Sequence, residues 1–203
     1  MFSRRNFGKD KFLINNFMQK RMFIIHRWDG APNKDWLPWA KEELEKKEYE
    51  VIVPEMPNTE EPKIEEWVPF LTKLVGEVNE NTFFIGHSVG CQTVMRYLES
   101  IYPKKIGGII FVAPWFNLTN LEDEESKAIA KPWLETPIDL EKVKNATDNI
   151  VVFVSDNDPF VPLSDKEIFE SKLNAKVIVE NNKGHFTGGD GIMELPEILI
   201  LIK

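Results

Sequence analysis

Six short apolar runs punctuate the chain, at 22–25, 50–53, 82–85, 108–112, 150–154 and 176–179. Each is rich in Ile, Val or Phe and opens into a loop carrying Gly, Pro, Asp or Asn, so each reads as a β-strand. Between them the apolar period lengthens. Trp36, Leu37, Ala40 and Leu44 fall at helical spacing in 36–47, and Ile64, Trp67, Phe70, Leu71, Leu74 and Val78 do so in 63–79. Helices also fit 89–100, 163–173 and 191–202. The strands are continuous in hydrophobicity rather than alternating, which is the pattern of a parallel sheet buried on both faces. Strand alternating with helix predicts an α/β doubly wound sheet. The stretch 115–148 breaks the rhythm, with acidic residues at 122–125 followed by Pro132, Trp133 and Pro137, and is expected to form a small helical cap above the sheet.

These elements fit one domain over 21–203. Residues 1–20 mix Arg4, Arg5, Lys9 and Lys11 with Phe2, Phe7 and Phe12 and lack the continuous apolar stretch of a secretory signal. They are expected to be an extension outside the fold. No apolar run reaches the roughly 20 residues that span a bilayer.

Composition narrows the function. The 203 residues carry a net charge of -8, which disfavours nucleic acid, because phosphate binding needs a basic face. One cysteine, Cys91, cannot form an intramolecular disulfide, so a cytoplasmic setting is expected. No pair of Cys or His has metal-ligand spacing, and the glycine-rich Gly188-Gly189-Asp190-Gly191 does not join a strand to a helix as a dinucleotide fingerprint must. It reads as a turn, and no metal or cofactor is expected.

The chemistry concentrates at Gly86-His87-Ser88-Val89-Gly90. A predicted strand runs into this motif and a predicted helix leaves it, which is the context of a nucleophile elbow. Glycines two positions either side let strand and helix approach without a Cβ clash. The turn lifts the Ser88 hydroxyl from the sheet and aims the Val89 N–H at a developing oxyanion. A hydroxyl needs a base, and the base needs a third group to fix its tautomer. In enzymes that carry serine on such a turn the chain order is Ser, acid, His. Of the three histidines only His185 follows Ser88. His87, adjacent to the nucleophile, is expected to pack or support. The loop after the fifth strand, Ser155-Asp156-Asn157-Asp158-Pro159-Phe160-Val161-Pro162, offers both Asp156 and Asp158 at the carboxyl end of the sheet, where ligands bind. Periodicity does not choose between them.

Taken together, Gly86 to Gly90, the loop from Ser155 to Pro162, and Gly184-His185-Phe186 resemble the small serine hydrolases of the retinoblastoma-binding protein 9 and YdeN type. The likeness extends from about Met22 to the C-terminus. It implies a single-domain α/β-hydrolase fold with a mostly parallel six-stranded sheet, helices on both faces and a minimal cap. It also implies that Asp158, three residues before the Val-Pro pair, is the functional acid and Asp156 structural. The sequence departs from that family after the first strand, where a Gly is usual and His26-Arg27-Trp28-Asp29-Gly30 stands. The second oxyanion donor is then expected to be the Trp28 N–H, and Arg27 is expected either to line the pocket and meet an anionic substrate group or to be solvated. Trp115, Phe160 and Phe186 are expected to add apolar pocket walls.

The expected activity is hydrolysis of an ester or amide of a small acyl or aminoacyl substrate through an acyl-enzyme on Ser88. The alternative is a protein-interaction module on the same scaffold, since a fold alone guarantees no activity. Nothing in the sequence singles out a protein partner.

Overall fold

The computed structural model describes residues 19–121 and 123–200. Six strands form one sheet: β1 (Arg21–Ile25), β2 (Glu50–Ile52), β3 (Thr82–His87), β4 (Gly108–Val112), β5 (Ile150–Ser155) and β6 (Lys176–Glu180). Their order is β2-β1-β3-β4-β5-β6, and every pairing is parallel. Among the described residues six α-helices accompany them: α1 (Leu37–Lys46), α2 (Ile64–Val75), α3 (Val89–Ser100), α4 (Glu124–Glu135), α5 (Leu140–Lys144) and α6 (Lys166–Leu173).

Alternation along each strand builds two cores. In β5, Ile150, Val152 and Val154 point to one face while Val151 and Phe153 point to the other. The first face packs under α2, α3, α5 and α6, through Trp67, Leu71, Val94, Tyr97, Val143 and Phe169. The second packs under α1, through Leu37, Ala40 and Leu44, and under the C-terminal segment, through Leu195 and Ile198. Both faces are covered, as the unbroken apolar strands require. The chain steps from β1 to β2 on one side and then to β3 on the other, so the loops after β1 and β3 diverge at the sheet's carboxyl edge. That divergence makes a crevice at the topological switch point, where open α/β sheets bind ligands.

Three expected elements need correction. The helix read at 63–79 stops at Val75, because Gly76 adopts φ 63 and turns the chain. The helix read at 191–202 is replaced by a turn at Gly191, φ 80, and a short 3-10 segment, Pro196–Ile200. Pro196 biases Leu195 away from helical backbone, while Leu195 and Ile198 still bury their side chains. Residues 201–203, and residues 1–18 of the expected extension, lie outside the described residues. Finally, the segment 115–148 divides in two. Trp115, Leu118, Leu121 and Ser126 border the crevice, whereas α5 joins the helix layer against α3 and α6.

The cap helix α4 is pinned at both ends. Asp123 accepts the Ser126 N–H at its start. The buried Trp133 donates its indole N–H to the Pro62 carbonyl at 2.9 Å and meets Trp67 edge-on. Arg96, on α3, donates to the carbonyls of Trp133 and Thr136 at 2.9 and 2.7 Å, placing a cation at the helix's negative end. Among the described residues no helix is long and apolar enough to cross a membrane.

Candidate active site

Strand β3 delivers Ser88 at the carboxyl edge, and α3 begins at the next residue. Ser88 holds φ 54, ψ -119, a backbone region that an L-residue occupies only under restraint. The flanking glycines supply that restraint. A Cβ on Gly86 would stand 2.7 Å from the Cys91 Cα, and one on Gly90 would overlap the Ile25 carbonyl oxygen. Val89 opens the helix, so its N–H has no acceptor within the helix.

The loop after β6 carries His185 between two residues of positive φ, Gly184 at 55 and Phe186 at 56. Five residues hold it, Asp190 from within the loop and four from distant parts of the chain. Asp190 accepts the His185 N–H at 3.0 Å while also accepting from the Thr187 N–H and hydroxyl. Asn157 accepts the Gly184 N–H at 2.9 Å, and Ser155 accepts the Lys183 N–H at 3.0 Å. Asp35 accepts the Gly188 N–H at 2.8 Å. The fifth comes from His87, whose Nε2–H donates to the His185 carbonyl at 2.9 Å. Burial, and then the neighbouring His185, push the His87 pKa down to about 3. The ring is therefore neutral at working pH, and the residue beside Ser88 holds the backbone of His185.

Asp158 faces His185 across 2.8 Å, Oδ2 to Nδ1. Its other oxygen accepts the N–H groups of Phe160 and Val161 at 2.9 and 3.1 Å, so both oxygens are oriented. The carboxylate is 2% exposed. Asp156 instead accepts the Asn182 N–H at 2.8 Å and ties two loops together. With Nδ1–H directed at Asp158, the imidazole Nε2 is left with its lone pair, which is the state a base requires.

Ser88 and His185 line one pocket of about 280 Å³ together with Trp28, Val89, Trp115 and Phe160. The Trp115 indole N–H lies 3.4 Å from Ser88 Oγ, and the Phe160 ring meets the His185 ring edge-on. Trp28 is fixed at the rim by its indole N–H to the Glu60 carbonyl at 2.8 Å. Beneath it His26 holds the loop, donating from Nδ1 to the Arg27 carbonyl and accepting the Met56 N–H on Nε2; burial lowers its pKa, so it too stays neutral.

One expected pocket residue needs correction, and another is found in place with its guanidinium already partnered. Phe186 is fully buried in the core beneath α1 and does not line the pocket, because its positive φ turns the ring inward as His185 turns out. Arg27 does border the pocket, with its side chain 21% exposed, and its guanidinium is already engaged by a carboxylate of this chain: Nε bonds Asp35 Oδ2 at 2.8 Å. Sequence reasoning missed Asp35 and Asp190. Thr187-Gly188-Gly189-Asp190 is a capping box, and that spacing is a readable signal for Asp190. Asp35 left no such signal. Among the described residues no group of three or more His, Cys, Asp or Glu could hold a metal ion.

Residues 22–203 match the family model described as serine hydrolase. YdeN of Bacillus subtilis (strain 168) is 28% identical over 181 residues, covering 88% of this chain and 92% of YdeN. Serine hydrolase RBBP9 of Rattus norvegicus is 28% identical over 173 residues, covering 83% of this chain and 84% of its own. The crystal structure of the ydeN gene product from B. subtilis superposes with a TM-score of 0.82 at 25% identity, over 91% of this chain and 97% of that one.

Proposed function

The chain belongs to the serine hydrolase family, and from that premise we propose that it cleaves a carboxylic ester or amide through a triad of Ser88, His185 and Asp158. The observation that carries the reading is the Asp158–His185 bond at 2.8 Å, with His185 bordering the same pocket as a serine on a strained strand-to-helix turn.

Ser88 Oγ attacks the substrate carbonyl as His185 Nε2 takes the hydroxyl proton. Asp158 stabilises the imidazolium without itself being protonated. The oxyanion of the tetrahedral intermediate receives the Val89 N–H and, from the loop after β1, the Trp28 N–H. Collapse expels the leaving group, which takes the proton from His185 and leaves Ser88 acylated. Water then repeats the cycle with His185 as base and releases the acid. No cofactor enters this scheme. The apolar rings of Trp28, Trp115 and Phe160 suit a small acyl or aminoacyl substrate. The lone, buried Cys91 fits the cytoplasm.

Rapid mixing with a 4-nitrophenyl ester of a short acid tests the acyl-enzyme. Since an activated aryl ester acylates faster than the enzyme deacylates, a burst of about one equivalent of 4-nitrophenol per protein is expected before the steady rate. Turnover by water attack alone would give a linear release, and the mass of the protein quenched during the burst would carry no acyl group.

A further inference from the structure

We propose that the pocket admits uncharged acyl groups and turns away those that carry a carboxylate, with Asp35 as the residue that sets this preference. The inference rests on Ser88 being the nucleophile of that pocket. Its walls are largely apolar, formed by Trp28, Trp115, Leu118, Leu121 and Phe160. Among the described residues, the Arg, Lys, Asp and Glu side chains that border it are Arg27 and Asp29.

An arginine in such a wall would ordinarily recruit a carboxylate by a bidentate bond. Here Asp35, buried behind the wall rather than lining the pocket, already takes that pairing. Arg27 Nε meets Asp35 Oδ2 at 2.8 Å and Nη2 meets Oδ1 at 3.4 Å, the two-point geometry a substrate carboxylate would need. The third nitrogen, Nη1, donates to the Trp28 carbonyl at 3.0 Å. The Asp35 side chain is 4% exposed and also takes the Gly188 N–H, so it is held from two loops. Arg27 keeps the Asp35 carboxyl ionised, with its pKa below the usual range despite burial. An entering carboxylate would lose its water and find a cation already matched, with Asp29 adding like charge. A hydrocarbon chain of the same length loses nothing of the kind.

Three substrates of equal acyl length isolate the charge: 4-nitrophenyl hexanoate, the mono-4-nitrophenyl ester of adipic acid, and the methyl ester of that adipate. Wild-type kcat/KM is expected to fall by about 100-fold from hexanoate to adipate, as an unpaired polar group in an apolar site requires. The methyl adipate is expected to restore it to near the hexanoate value. Asp35→Asn keeps an oxygen for the Gly188 N–H but releases the Arg27 charge. It is expected to narrow the hexanoate-to-adipate ratio at least about tenfold, mainly through a lower KM for adipate. A wild-type ratio near one overturns the proposal. So does a methyl adipate rejected as strongly as the acid, a result obtainable without any variant. A folded Asp35→Asn with the wild-type ratio overturns it as well. Ser88→Ala, assayed on hexanoate, tests the nucleophile separately, so failure of that reading is told apart from failure of this one.

Discussion

Ser88→Ala is expected to lower kcat/KM for an activated ester by about a millionfold, to the level left by the oxyanion donors and binding alone. The size of the loss follows from geometry rather than from the residue type. The hydroxyl is offered at a strained turn, φ 54, beside the start of α3 and in the pocket His185 borders. Without Oγ there is no covalent intermediate, and His185 can only activate water in a site not shaped to position it. The fold should survive. Alanine meets the same backbone strain as serine, and the Oγ atom forfeits only a 3.4 Å contact with the Trp115 indole. Steady-state kinetics beside a thermal melt checks both points. A variant that melts normally and keeps activity within about tenfold of wild type would place the nucleophile elsewhere.

Asp158→Asn is expected to cost about ten-thousandfold in kcat with little change in KM. The mechanism is tautomeric. The amide oxygen can keep the N–H groups of Phe160 and Val161, so the loop stays in place. The amide NH2 then faces His185 Nδ1, which must accept rather than donate. The imidazole proton moves to Nε2, the atom that has to be bare when Ser88 loses its proton. Asp156→Asn serves as the control, because Asp156 only accepts the Asn182 N–H and an amide oxygen does that equally well. Assays of both variants at one pH separate the two aspartates. Equal losses would contradict the assignment of Asp158.

The contrast between these neighbours bears on what the sequence could tell. The four inner strands were legible because burial on both faces writes a continuous apolar run, the part-exposed edge strands β2 and β6 because they are rich in β-branched residues, and the Gly-Ser-Gly turn because its steric demand for Gly86 and Gly90 is local. His185 was singled out by chain order and by its place in the Gly-containing loop after the last strand. Asp158 was separated from Asp156 only by resemblance, since both sit in one loop and differ in which way the side chain leaves it. The Arg27–Asp35 pair and the Asp35–Gly188 bond were not legible. The latter joins residues 153 apart, and no local pattern records such a partner. Phe186 was misplaced for a related reason: an apolar ring beside a base suits a pocket wall or a core equally, and the backbone sign at one residue decides. The C-terminal apolar spacing was real, yet a turn and a 3-10 segment bury Leu195 and Ile198 as effectively as a helix would.

The activation of Ser88 is read most directly by intact mass after exposure to a fluorophosphonate, wild type beside Ser88→Ala. One phosphonyl adduct per wild-type chain, mapped to the peptide containing Ser88 and absent from the variant, is the expected result. A folded wild-type protein that takes no adduct, or a variant that takes one as readily, would contradict the assignment of Ser88 as the activated nucleophile.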